Sequence, residues 1–151
     1  MKAKLLIVEK EIEGKGIVQS YLSQYEEIDP TLANSFENFI KEISFTRFDC
    51  VIADYNLAGN RKGTEVFQYL RENGISTPFI ILTGYLGEEE KIMILRDGGR
   101  HLRTQIGDDK LFISIAKIII EAHTTEETRN QMKETLQCRI DQLRCKLESN
   151  V

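Results

Sequence analysis

A short apolar run in the first half of the chain ends at a carboxylate. Val51, Ile52 and Ala53 follow one another, and Asp54 comes directly after them. An apolar run of this length is typical of a strand that is covered on both faces, as in a parallel sheet between two layers of helices. Asp54 would then lie at the carboxyl end of that strand, where open α/β sheets bind their ligands. Its position also allows a simpler role, in which the side chain caps the loop that follows.

Apolar runs and helical patterns alternate along the rest of the chain. Strands are predicted at residues 5–8, 28–33, 50–53, 79–82 and 101–103, and the second belongs at or near a sheet edge because it contains Pro30. Helices are predicted at residues 12–22, after the capping residue Ser35, after the loop 58–63, at 88–96 and at 111–122. Strands that alternate with helices indicate an α/β fold with a parallel sheet and helices on both faces.

Composition excludes several functional classes. The chain of 151 residues is long enough for one domain with a proper core, and it has no apolar run long enough to span a membrane. Its net charge of −4 argues against direct binding of nucleic acid. Three cysteines and two histidines without metal-like spacing make a zinc site unfavourable. Free thiols suit a reducing compartment, so a cytoplasmic location is expected.

The order of these motifs resembles the receiver domain of bacterial two-component response regulators. Residues 5–8 are similar to the family's first strand, and residues 54–59, Asp-Tyr-Asn-Leu-Ala-Gly, match the loop that holds the phosphorylated aspartate. Thr83-Gly84 matches the end of the fourth strand, where the family keeps a Ser or Thr followed by a small residue. The resemblance covers roughly residues 3–123. It implies a flavodoxin-like (βα)5 fold, a doubly wound parallel sheet of five strands flanked by five helices.

The resemblance also implies a function, which is signalling through phosphoryl transfer and protein contacts. In the family, the aspartate carboxylate accepts a phosphoryl group from a histidine kinase or phosphotransfer protein, and the corresponding residue here is Asp54. The family's Ser or Thr hydroxyl, here that of Thr83, donates a hydrogen bond to the phosphoryl group. A Mg²⁺ ion assists the transfer, and its ligands would correspond to Glu9, Asp54 and the backbone carbonyl of Asn56.

Three positions depart from the family pattern. Lys10 stands where a second acid is usual, so its charge should weaken the binding of Mg²⁺. Gln105 stands where the family has a lysine followed by proline, and Arg103 is a candidate to replace the missing cation. Leu102 stands where the family often has a Tyr or Phe that responds to phosphorylation. These departures leave open an alternative function, that of a phosphorylation-independent pseudo-receiver which acts as a protein-interaction scaffold.

Two classes of enzyme or nucleotide-binding protein fit the sequence less well. A phosphatase of the haloacid-dehalogenase type would need a second aspartate two residues after Asp54, and Asn56 stands there. A flavodoxin-like nucleotide binder would need a glycine-rich phosphate loop after the first strand, but residues 9–14 are largely acidic. We therefore expect a signalling domain and not an enzyme.

The last segment, residues 124–151, differs from the rest because it contains no Gly or Pro and is highly charged. We therefore divide the chain into a receiver domain, residues 1–123, and a C-terminal helical extension. Leu136, Ile140, Leu143 and Leu147 are spaced four, three and four residues apart, as in a coiled-coil seam. Two alternatives follow. The helix could lie on its own domain, or it could continue the fifth helix and pair with a second copy as a homodimer.

Overall fold

The computed structural model describes residues 1–103 and 107–149. Five parallel strands form one sheet in the order β2-β1-β3-β4-β5. The strands are Ala3–Val8 (β1), Ile28–Ala33 (β2), Cys50–Asp54 (β3), Phe79–Leu82 (β4) and Arg100–Leu102 (β5). The predicted parallel α/β fold is therefore confirmed, and β2 lies at an edge as its proline indicates.

Helices cover both faces of this sheet. They are Ile17–Ser23 (α1), Phe36–Phe45 (α2), Gly63–Glu72 (α3), Glu88–Arg96 (α4), Asp109–Ala122 (α5) and Glu126–Ser149 (α6), with a 3₁₀ turn at Ala58–Asn60. The predicted cap of α2 is confirmed, because the Ser35 hydroxyl accepts a hydrogen bond of 3.1 Å from the Asn38 amide. Within residues 1–103 and 107–149, no helix is both long and apolar enough to cross a membrane.

The predicted helix over residues 12–22 is wrong in its first part, since α1 begins only at Ile17. Ile12 and Lys15 exchange backbone hydrogen bonds of 2.8 and 3.0 Å across a two-residue turn. Glu13 and Gly14 occupy the left-handed region in this turn, with φ of 51° and 78°. Turns of this kind favour glycine, and this local preference overrides the apolar spacing that suggested a longer helix.

Two apolar layers form the core, one on each face of the sheet. Leu5 and Ile7 of β1 point to the layer that contains α1, α5 and α6, whereas Leu6 and Val8 point to the layer of α2, α3 and α4. This alternation follows from the two-residue period of a strand. Because helices cover both faces of the sheet, its polar functional side chains lie at the ends of the strands.

Helix α6 lies against its own domain. It does not continue α5, because residues 123–125 separate the two helices. Leu136 and Ile140 are fully buried in the apolar layer where α6 meets α5 and β1, and the other two seam residues, Leu143 and Leu147, belong to the same layer. The structure thus matches the alternative in which the helix lies on its own domain, and the predicted continuation of α5 is wrong. The homodimer stays a prediction, and pairing through this stripe would require α6 to detach.

Two ion pairs hold α6 at its middle and its end. The Arg139 guanidinium Nε donates to both carboxylate oxygens of Glu27, at 3.0 and 3.2 Å. Near the end of α6, Lys146 Nζ lies 3.7 Å from an oxygen of Asp109, the first residue of α5. These contacts fix the direction of α6 antiparallel to α5. Whether residues 1–123 form a separate domain stays a prediction, since α6 contributes to the same core.

Candidate functional site

The structure brings three of the predicted site residues to one edge of the sheet. Asp54 is the last residue of β3, the central strand, and pairs in register with Leu82 of β4. Glu9 directly follows β1 on one side, and Thr83 directly follows β4 on the other. Because the strands are parallel, all three residues lie at the same carboxyl edge, which is the ligand-binding edge of such sheets.

Asp54 is partly exposed, and its two carboxylate oxygens differ in their surroundings. Oδ1 accepts a hydrogen bond of 2.9 Å from the amide of Tyr55, whereas Oδ2 has no protein donor among the described residues. Burial raises the pKa of Asp54 above its usual range, and the Tyr55 amide and the charge of Lys10 oppose that rise. Asp54 therefore has one anchored oxygen and one oxygen that can act as a nucleophile.

The loop between β3 and α3 holds Asp54 in place. Gly63 donates a backbone hydrogen bond of 2.8 Å to the Tyr55 carbonyl, and the Leu57 amide donates one of 2.9 Å to the Arg61 carbonyl. A Cβ atom at position 63 would lie only 2.3 Å from the carbonyl oxygen of Asp54, so no larger residue fits there without a backbone shift. The close approach of two backbone segments thus explains why position 63 is a glycine.

Asn56 lies on this loop and is exposed. Its side-chain oxygen accepts a hydrogen bond of 2.8 Å from Lys62 Nζ, which also lies 5.3 Å from the centroid of the Tyr55 ring. These contacts place the ammonium group of Lys62 near the site, in addition to that of Lys10. The role predicted for Asn56 concerned its backbone carbonyl, and that role stays a prediction.

Glu9 lies beside Asp54, but its carboxylate turns toward α1. The side chain is buried, with 4% of its surface exposed. Oε1 accepts a hydrogen bond of 3.1 Å from the Val18 amide, and Oε2 accepts one of 2.8 Å from the Gln19 amide. Burial raises the pKa of Glu9, while these two amides favour the ionised form. Glu9 thus satisfies two free donors at the start of α1.

The Thr83 hydroxyl is bound to its own loop. It donates a hydrogen bond of 3.0 Å to the Tyr85 carbonyl. The Thr83 backbone is fixed by β5, because its amide donates to the Leu102 carbonyl at 3.1 Å and a ring nitrogen of His101 lies 3.0 Å from its carbonyl oxygen. Thr83 is therefore well positioned, although its hydroxyl would have to leave Tyr85 to reach a group on Asp54.

Sequence reasoning missed two contacts around this site. The Tyr55 hydroxyl donates to both carboxylate oxygens of Glu90, at 3.0 and 2.9 Å, and so joins the β3–α3 loop to α4. The His101 ring meets the Thr83 carbonyl from β5. The sequence gives only an indirect signal for either contact, namely that Tyr55 follows Asp54 and that His101 stands in the last strand.

The remaining departures from the family pattern lie on and after β5. Gln105 lies outside the described residues. Leu102 ends β5 and packs against the apolar layer of α5, and Arg103 is exposed.

The donor set does not fit a divalent cation held by Glu9, Asp54 and Asn56. A Mg²⁺ ion needs several oxygen ligands that point to one centre. Both oxygens of Glu9 instead accept hydrogen bonds from α1. Among residues 1–103 and 107–149, no group of three or more His, Cys, Asp or Glu side chains could hold a metal ion. In this conformation, Asp54 is the only predicted carboxylate ligand that faces the site.

Solved structures of similar proteins share this fold. The receiver domain of the Francisella response regulator 1452 is 25% identical, with a TM-score of 0.65, and the match covers 81% of this chain and 100% of that one. The Vibrio cholerae chemotaxis response regulator CheY4 is 21% identical, with a TM-score of 0.65 and coverage of 78% and 99%.

A third structure is a receiver domain that belongs to a kinase. It comes from the sensor histidine kinase PA1611 of Pseudomonas aeruginosa, described with a magnesium ion in its active-site cleft, and is 20% identical, with a TM-score of 0.63 and coverage of 79% and 98%. No curated protein matches this chain. The family model of the response regulator receiver domain matches residues 5–112. The chain therefore belongs to the family of response regulator receiver domains.

Proposed function

We propose that this receiver accepts a phosphoryl group on Asp54 from the phosphohistidine of a histidine kinase or phosphotransfer protein. The observation that carries this proposal is the position of Asp54 at the carboxyl end of the central strand, partly exposed and with one oxygen to which none of the described residues donates. The Tyr55 amide holds the other oxygen, so the carboxylate is already oriented. Orientation of this kind supplies much of the rate in phosphoryl transfer.

The proposed step conserves atoms and charge. Asp54 Oδ2 attacks the phosphorus of the phosphohistidine, a bond forms between oxygen and phosphorus, and the bond between phosphorus and the imidazole nitrogen breaks. The imidazole, which carries a proton on its other ring nitrogen, keeps the bonding electron pair and leaves as the neutral ring. The product on Asp54 is an acyl phosphate, whose negative charge the ammonium group of Lys10 partly balances.

The signal would start at Thr83. A phosphoryl oxygen on Asp54 offers a stronger acceptor than the Tyr85 carbonyl, which now accepts the Thr83 hydroxyl at 3.0 Å. Exchange of that bond would move the loop between β4 and α4. The contact between Tyr55 and Glu90 joins the same helix to the acceptor loop, so α4 is the element through which a partner protein would sense the change.

Mass spectrometry tests this function. The protein is incubated with acetyl phosphate and Mg²⁺, and its intact mass is recorded beside that of the Asp54→Asn variant. We expect an added phosphoryl mass on the native chain and none on the variant. A native chain that stays unmodified, with acetyl phosphate and with a phosphohistidine donor alike, would contradict the proposal. A cytoplasmic location and the identity of the kinase stay predictions.

A second function is favoured by one specific observation, which is that Glu9 is bound to α1 and does not face the site. Such a chain would act as a phosphorylation-independent pseudo-receiver that binds its partner in the conformation described above. The same mass measurement separates the two functions, because the scaffold requires no modification of Asp54.

A further inference from the structure

The start of α1 is built around the Glu9 carboxylate. The segment 10–16 turns back on itself through the Ile12–Lys15 bridge, so that the first turn of α1 returns to the end of β1. The residue that precedes the helix is Gly16, which has no side chain to cap it. Glu9, which lies nine residues before Val18 and ten before Gln19, provides the missing acceptors: one carboxylate oxygen accepts from each of these two amides.

Gly16 provides the space for this arrangement. Its backbone has φ of −94° and ψ of 137°, a conformation that any residue adopts, so glycine is not needed for its flexibility. A Cβ atom at position 16 would lie 2.5 Å from Glu9 Oε2 and 2.9 Å from a methyl carbon of Leu32. The glycine therefore fits because it lets the carboxylate approach the helix backbone closely.

The positive end of α1 and the amides of its first turn, which have no acceptor within the helix, both favour the negative carboxylate of Glu9. A cation that recruited Glu9 would have to break both hydrogen bonds, which would leave two amide donors without partners, one buried and the other partly buried. It would also bring its charge close to Lys10, the next residue along the chain. Each of these effects opposes the recruitment of Glu9 by a metal ion.

We propose that Glu9 is a positioning residue that caps α1, and that it does not ligate a divalent cation at the Asp54 site. The inference rests on the proposed function in so far as it takes Asp54 as the centre of that site. The carboxylate that follows β1 thus has a structural role here, and any Mg²⁺ that approaches Asp54 does so without Glu9.

Nuclear magnetic resonance of the full chain tests the cap directly. Amide signals of Val18, Gln19 and Tyr55 are followed while Mg²⁺ is added, and their positions are compared with those in Glu9→Ala. We expect the Val18 and Gln19 signals to differ strongly between the native chain and the variant, and to stay unchanged in the native chain as Mg²⁺ rises. A shift confined to Tyr55, or no shift at all, supports the inference. Movement of Val18 and Gln19 toward their positions in the variant would overturn it, because Glu9 would then have left α1 for the metal.

Thermal unfolding and calorimetry provide a second measurement. Glu9→Ala should lower the melting temperature without metal by several degrees, and the matched variant Glu11→Gln, in the exposed loop that follows Glu9, should not. If Glu9→Ala does not fold, Glu9→Gln serves, since its amide oxygen can still accept one of the two bonds. Mg²⁺ affinity within about twofold of the native chain supports the inference, and a loss of about tenfold or more at an unchanged melting temperature overturns it. Neither readout involves phosphorylation, so an unmodified Asp54 would refute the proposed function alone.

Discussion

The Tyr55 hydroxyl donates to both carboxylate oxygens of Glu90, at 3.0 and 2.9 Å, and so ties the loop after the acceptor strand to the first turn of α4. This hydrogen bond, which the single hydroxyl proton shares between two charged oxygens, is stronger than a bond between neutral groups, and it raises the pKa of Tyr55. Helix α4 contributes only one fully buried side chain, Ile94, to the core. Its position therefore depends on contacts such as this one.

Tyr55→Phe should loosen α4 while leaving the sheet intact. We expect faster amide hydrogen exchange in Glu88–Arg96 and a loss of stability of about 0.5–1.5 kcal/mol, because the pair is partly exposed. Tyr85→Phe is the matched control, since Tyr85 is 80% exposed. Equal exchange rates in the two variants would show that the Tyr55 hydroxyl does not hold α4.

Asp54→Asn should stabilise the fold at neutral pH. Burial raises the pKa of Asp54, so the folded chain holds this proton more tightly than the unfolded chain. Stability therefore falls as pH rises through the interval between the unfolded value, near 3.8, and the higher folded value, and the full cost is present at neutral pH. The variant lacks this cost, and its amide oxygen can still accept from Tyr55.

Melting temperatures of both proteins across the acidic and neutral range provide the measurement. The variant should melt higher at neutral pH, and the difference should shrink toward zero below the unfolded pKa of an aspartate. A difference that does not change with pH would mean that the charge of Asp54 is not its origin.

Lys10→Asp should strengthen the binding of Mg²⁺ by roughly tenfold or more, since it replaces a cation near Asp54 with an anion. Calorimetric titration measures the affinity. Lys15→Asp changes the charge of the same loop by the same amount farther along the chain and is the control. If the two variants bind Mg²⁺ equally, the position of Lys10 does not determine the affinity.

Sequence alone predicted the sheet and the meeting of Glu9, Asp54 and Thr83 at its edge. Apolar runs such as 79–82 identify buried strands, and in a parallel sheet the residue after each run must lie at the same edge. The same pattern does not predict which groups a carboxylate binds at that edge. The two amides that bind Glu9 come from α1, and their approach depends on the turn at residues 12–15, which the helix predicted over residues 12–22 had concealed.

The apolar stripe of α6 was visible in the sequence, but its partner was not. A four-three spacing of leucines serves equally well for a coiled coil and for a helix packed on its own domain. The choice depends on whether the surface of α5 and β1 offers a complementary apolar face, and that face is assembled from residues far apart in the chain.

Leu136→Ala should destabilise the chain by about 2–5 kcal/mol, because the side chain is fully buried and its removal leaves a cavity. Leu147→Ala, at a partly buried position of the same stripe, should cost clearly less. Urea denaturation measures both. Similar small losses in the two variants would mean that α6 is not docked on the domain.

The docked helix also predicts a monomer. We expect sedimentation at tens of micromolar to show one chain per particle, since the stripe that would pair with a second copy is covered. A dimer that dissociates when the chain is shortened to His123 would restore the coiled-coil interpretation.

Chemical mapping of the acceptor residue tests whether Asp54 takes the phosphoryl group. After incubation with a phosphodonor, borohydride reduces an aspartyl phosphate to homoserine, and peptide mass spectrometry then identifies the position. We predict homoserine at residue 54 and none in Asp54→Asn. Homoserine at another aspartate such as Asp49 or Asp97, or its absence from a chain treated with a competent donor, would contradict the account.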